Sequence, residues 1–199
     1  MPSPTETTPA PETGFDPLVF WIQHRSKIVA LAVLFVAGLA VFGASEYFKT
    51  RKLDGARDLF ANAKDADGYR KVMSEYAGTA AAGDAALMLA EVLRKEGKIE
   101  ESSKVLREFT EKYPEHQLIS GAWMSLAANL EATAGKEADA LAMYQKVSTT
   151  YANSFSAPLA LMAQARLLKA KGKTDEARRI YEQVTTQFPD NVVSQQAAV

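Results

Sequence analysis

Glu111-Lys112-Tyr113-Pro114-Glu115 is echoed further along the chain by Thr186-Gln187-Phe188-Pro189-Asp190, and two looser copies stand at Tyr151-Ala152-Asn153 and Tyr76-Ala77-Gly78. The aromatic residue returns at Tyr76, Tyr113, Tyr151 and Phe188, at spacings of 37, 38 and 37 residues. An internal repeat of this length, made of helical sequence, predicts stacked helical hairpins that bury a continuous core only by lying against one another. Such solenoids bind proteins far more often than they catalyse, so function is to be sought on a surface.

Working outward from these corners, each unit reads as two helices. In the first, residues 85–90 and Leu93 form an apolar helix ended by Gly97, and residues 99–113 return to Pro114. In the second, Trp123, Leu126, Ala127 and Leu130 precede a turn at Gly135, and Ala140, Tyr144 and Val147 mark the inner face of the return. In the third, Leu161, Ala165 and Leu168 precede Gly172, and Ala177, Tyr181 and Val184 lead to Phe188-Pro189. Each glycine is expected to supply a left-handed helix cap. Small Ala127, Ala140, Ala165 and Ala177 fall where two helices cross closely. Residues 192–199 begin another first helix and stop, which predicts a lid of Val192, Val193 and Ala197 over the last hairpin.

The pattern resembles the tetratricopeptide repeat: an aromatic, a Leu, a small residue, a helix-ending Gly, then Ala, an aromatic and Pro. The second unit carries Trp123, Leu126, Ala127, Gly135, Ala140 and Tyr144, and the third Ala165, Gly172, Ala177, Tyr181 and Pro189. The first unit departs from it, with Ser102 for the small Ala and Leu106 for the aromatic, and Ala152 stands where the second unit lacks Pro. The resemblance implies an all-α helical-hairpin solenoid.

Ahead of the repeats the chain has a different character. Residues 1–14 hold Pro2, Pro4, Pro9 and Pro11 among Thr, Ser and Glu, a composition expected to stay disordered. Asp16-Pro17 is a helix start, and residues 15–27 read as an interfacial opening of that helix. Residues 28–45 are eighteen positions without a charge, about 27 Å of helix against a hydrocarbon thickness of about 30 Å. Phe15, Phe20, Trp21, Arg25 and Lys27 on one side and Tyr47, Phe48, Lys49, Arg51 and Lys52 on the other supply interfacial anchors. A single transmembrane helix over 28–48 is therefore expected, with a buried core helix and a cleaved signal peptide as the rival readings. Residues 49–80 form a linking helix and a first half-repeat, with Leu53, Ala56, Leu59, Phe60 and Ala63 on one stripe, and residues 81–199 the repeats and their cap.

A short tail, one span and about three degenerate repeats resemble the YfgM-type ancillary subunits of the bacterial Sec translocon. That resemblance implies a single-pass inner-membrane protein with its repeats in the periplasm, contacting translocon subunits and handing secreted clients to periplasmic chaperones. The same repeats are similar to the C-terminal domain of periplasmic cell-division coordinators, so a structural tether in envelope or division machinery is the alternative. The local count of Lys and Arg runs the other way: Arg25 and Lys27 precede the span, while Lys49, Arg51, Lys52 and Arg57 follow it. The layout is preferred, because long C-terminal domains cross largely regardless of local charge.

Several chemistries have no sequence signal. From Thr50 onward 20 Lys and Arg balance 20 Asp and Glu, so no basic stripe awaits nucleic acid. There is no cysteine, and no nucleophile elbow, zinc-protease motif or phosphate loop. His24 and His116 are isolated from each other in sequence. No catalytic residue, metal, cofactor or small-molecule substrate is expected, and the chain reads as a non-enzyme. The candidate protein-binding groove lies along the first helices, where Leu87, Met124 and Met162 form an apolar ladder beside Glu91, Arg166 and Lys169, with Asp84, Arg94, Lys95 and Glu131 nearby. Methionines suit varied apolar partners because the thioether chain repacks at small cost. The plainer reading of Met124 and Met162 is packing between repeats. Leu87 and Glu91 stand where a carboxylate clamp would place a base and an amide, so a C-terminal peptide motif is not the expected ligand.

Overall fold

The computed structural model describes residues 17–197, all of whose regular elements are helices. They run α1 (Pro17–Asn62), α2 (Ala66–Glu75), α3 (Ala80–Lys95), α4 (Ile99–Lys112), α5 (Ile119–Glu131), α6 (Glu137–Thr150), α7 (Ser156–Ala170), α8 (Thr174–Gln187) and α9 (Val192–Ala197). The expected tail at 1–14, with Phe15 and Asp16, lies outside the described residues. The chain divides into two compact units, Met1–Thr50 and Arg51–Val199.

In the first unit, α1 carries the uncharged stretch. An 18-residue window within this helix has mean hydropathy 2.5 and none of it is buried, so by length and composition it can cross a bilayer. A core helix of a soluble domain would be covered; here Leu34, Phe35, Val36 and Phe42 are all exposed.

The second unit opens with the end of the same helix. Ala56 is fully buried, and Leu59, Phe60 and Ala63 pack on Tyr69 and Val72 of α2, whereas Leu53, expected on that stripe, is exposed. The helix stops at Asn62 because Asp65 caps α2: its backbone is extended and its carboxylate accepts from Gly68 N–H at 2.8 Å.

The repeated aromatics share one structural role. Tyr76, Tyr113, Tyr151 and Phe188 are the C-caps of α2, α4, α6 and α8, and each donates its backbone N–H to the carbonyl four residues back, on Val72, Phe109, Val147 and Val184. Those four residues are core residues in every unit. The return helices α4, α6 and α8 are each 14 residues long, which sets the period. Turns differ more. Gly97 and Gly172, at φ +76° and +77°, stand one place beyond the C-caps of α3 and α7, and the next N–H reaches back to Leu93 and Leu168 carbonyls at 2.8 and 3.0 Å. Gly135 does not cap α5 as expected. The C-cap there is Ala132, and Gly135 lies in a following turn closed by Lys136 N–H to Thr133 C=O at 3.1 Å, inside the 38-residue unit.

Helices cross on small residues, with Ala127, Ala140, Ala165 and Ala177 at 0 to 1% exposure. Where the first unit breaks the pattern, Ser102 is buried and donates to the Ala90 carbonyl at 2.8 Å. It also accepts from Asn129 of the next hairpin at 3.0 Å, and the same amide reaches Ser103 at 3.2 Å. A departure from the repeat is thus a polar pin between units. Ser120 and Ser156 meet at 3.1 Å across the next joint. The terminal lid also differs from expectation: Val192 is 70% exposed, Val193 is half-buried, and the buried residue is Ser194, near the Val184 and Phe188 carbonyls. The Ala197 side chain lies outside the described residues.

Candidate protein-binding groove

The first helices α3, α5 and α7 carry two adjoining depressions. One, of about 340 Å³, is walled by Leu87 and Glu91 of α3 and Met124 of α5. The other, of about 500 Å³, is walled by Met124, Met162 and Arg166. Arg94, Met124 and Leu159 belong to both. Five of the six residues singled out by spacing therefore line one continuous face, because a shift of one repeat returns the same helical position to the same side. Lys169 lines neither depression.

Packing and groove are not exclusive roles here. Leu87 packs on the core formed by Ala86, Ala90 and Leu106, and Met124 on that formed by Ala127, Ala140 and Tyr144, yet both stay partly accessible. The same side chains thus pack against the core and line the depressions.

The charged rim is mostly self-satisfied. Glu91 pairs with Lys95 at 3.4 Å. Arg166 donates through Nη2 to both Glu131 oxygens, at 2.7 and 2.9 Å, so α5 and α7 are tied across the groove. Tyr144, 1% exposed, donates its hydroxyl to the same carboxylate at 2.7 Å. Burial first, then this bond to Glu131, raises the Tyr144 hydroxyl well above the usual tyrosine range, keeping it a proton donor. Arg94 has no ion-pair partner among the described residues.

Sequence spacing passed over three groove residues. Leu118 and Phe155 occupy the N-cap positions of α5 and α7 without a side-chain cap hydrogen bond, and Leu159 lies one turn into α7; all three line the first depression. For Leu118 and Phe155 the available signal was an apolar residue five and four positions beyond a corner aromatic, where turns are ordinarily polar.

The histidines are accounted for by packing. His116 lies edge-on to Phe109, accepts from Leu118 N–H at 3.2 Å through Nδ1, and places Nε2 at 3.4 Å from Asp84 Oδ1. His24 stacks on Phe20 within α1. No group of three or more His, Asp or Glu side chains able to hold a metal ion occurs among the described residues.

Residues 19–198 match the family model described as tetratricopeptide repeat-like domain. Among the solved structures similar in fold are that of the Podosopora anserina putative kinesin light chain nearly identical TPR-like repeats and that of a point variant of it. Each is 19% identical, with TM-score 0.50, over 61% of this chain and 64% of that one. This chain thus spans less than two thirds of those structures. No curated protein matches.

Proposed function

We propose that this chain, which belongs to the tetratricopeptide repeat-like domain family, is a membrane-anchored protein-interaction scaffold that takes up partner segments in the α3–α5–α7 groove. Domains of this kind generally mediate protein–protein interaction and typically do no catalysis. The observation that carries the reading is the pair of adjoining apolar depressions lined by Leu87, Met124 and Met162 on successive first helices. The uncovered apolar stretch of α1, which falls inside the family match, supports an anchor. The finer assignment is an ancillary factor of the Sec translocon in the bacterial inner membrane, with the repeats on the periplasmic side, receiving secreted clients and passing them to chaperones. Layout and the accessible methionines favour it; the Lys and Arg count around the span opposes that orientation.

The test is a photo-crosslinking residue at Met124 or Met162 in native membranes, with exposed Arg179 and Gln145 on the return helices as controls. Capture of translocon subunits, chaperones or varied secreted chains at the groove positions alone supports the assignment. Capture of one fixed envelope or division component replaces it with a tether, and capture of cytoplasmic proteins inverts the topology.

A further inference from the structure

Beyond α1, the exposed large apolar side chains of the described residues are Met88, Leu118, Phe155, Leu159 and Val192. Three of these five line the first depression. Phe155, at 63% exposure, overhangs Gly121, where an added Cβ would lie 3.7 Å from its ring. Exposure gathered at one place marks a surface that something covers.

Charge says what that something carries. Arg94 borders both depressions and has no ion-pair partner among the described residues, while the acids beside it are engaged, Glu91 by Lys95 and Glu131 by Arg166 and Tyr144. A guanidinium in this position is a fork for a carboxylate brought from outside. The apolar walls extend to both sides of it, so the carboxylate belongs to the middle of a segment; a chain terminus would leave one depression unfilled.

We propose that the groove selects a protein segment with an internal Asp or Glu flanked on each side by a large apolar side chain. The carboxylate meets Arg94, one flank lies against Leu118 and Phe155, and the other against Met162. Because Arg94 is exposed, its contribution is selectivity and register more than affinity. The proposal rests on the groove reading above and adds the partner's chemistry.

The test uses the full chain in detergent micelles and a synthetic peptide library, acetylated and amidated at its ends, with the central and flanking positions randomised and captured peptides identified by mass. The unmodified protein is expected to enrich Asp and Glu at the centre about tenfold over Lys, with Leu, Phe, Met or Trp on both sides. Arg94→Glu is expected to reverse the central preference and keep the apolar flanks, and Phe155→Ser to lose the apolar preference on one side only. Both positions are exposed, and unchanged circular dichroism verifies that the variants are folded. Apolar enrichment with no central acid, or an acid preference that survives Arg94→Glu, overturns this inference and leaves the groove reading standing. Enrichment confined to a second library with free C-termini overturns the internal carboxylate. No enrichment in either library overturns the proposal, and if groove crosslinks are also absent the groove reading falls with it.

Discussion

Removing one oxygen from Tyr144 separates the strength of a repeat from the strength of the joint between repeats. The hydroxyl bonds Glu131 within the α5–α6 hairpin at 2.7 Å, while Arg166 reaches the same carboxylate from the next hairpin at 2.7 and 2.9 Å. Tyr144 is 1% exposed, and a hydrogen bond to a charged acceptor in such surroundings contributes about 1.5–3 kcal/mol. Tyr144→Phe keeps the ring and leaves Glu131 with Arg166 and partial access to water, so its loss lies toward the lower end, about 1.5 kcal/mol. The Arg166 side chain is 66% exposed, and an ion pair so placed contributes about 0.2–1 kcal/mol. In an array stabilised by repeat and interface terms, the two changes act at different places. Hydrogen exchange read by mass spectrometry on the full chain should show Tyr144→Phe loosening α5 and α6 together. Arg166→Ala should loosen the α5–α7 joint by a smaller amount. A greater loss in Arg166→Ala than in Tyr144→Phe would refute the assignment of the buried phenol as the main tie.

The same phenol predicts an alkaline effect: its folded-state pKa is raised, so its stabilisation is fully present below the unfolded value of about 10 and is lost as pH rises beyond it. Thermal melts from pH 9 to 11 should therefore fall less steeply for Tyr144→Phe than for the parent. Gly97→Ala places a Cβ in open space but at φ +76°, so the cost is backbone alone, about 1–2 kcal/mol, and is measurable as a lowered urea midpoint. A chain of residues 51–199 should keep helical circular dichroism and stay in solution, whereas the full chain should remain in carbonate-washed membranes; the reverse partition would remove the anchor from the proposed function.

The regular part of the fold was legible because a repeat states each rule several times. Tyr76, Tyr113, Tyr151 and Phe188 announced the return-helix ends, and their period placed Leu87, Met124 and Met162 on one face. Legibility failed where a residue acts once. Gly135 looked like its counterparts Gly97 and Gly172, but the longer turn after α5 moved it out of the cap. Val192 had the right type for a lid, yet the short α9 turns Ser194 inward instead. The Asn129 contacts to Ser102 and Ser103 join residues 26 and 27 apart, a separation that no local period encodes. Leu118 and Phe155 stand one repeat period apart, but they lie in the connections before α5 and α7, outside the helical periodicity from which a face is read.

The polar pins bear on how the array behaves mechanically. Apolar faces can slide by fractions of an ångström at little cost, and a stack held only by them would flex like a loose spring. Hydrogen bonds tolerate far less displacement, and here the buried bonds of Asn129 to Ser102 and Ser120 to Ser156 join one hairpin to the next. The curvature of the α3–α5–α7 face is therefore set before anything arrives. An incoming segment meets a groove already shaped, and the entropy of ordering falls on the segment rather than on the scaffold.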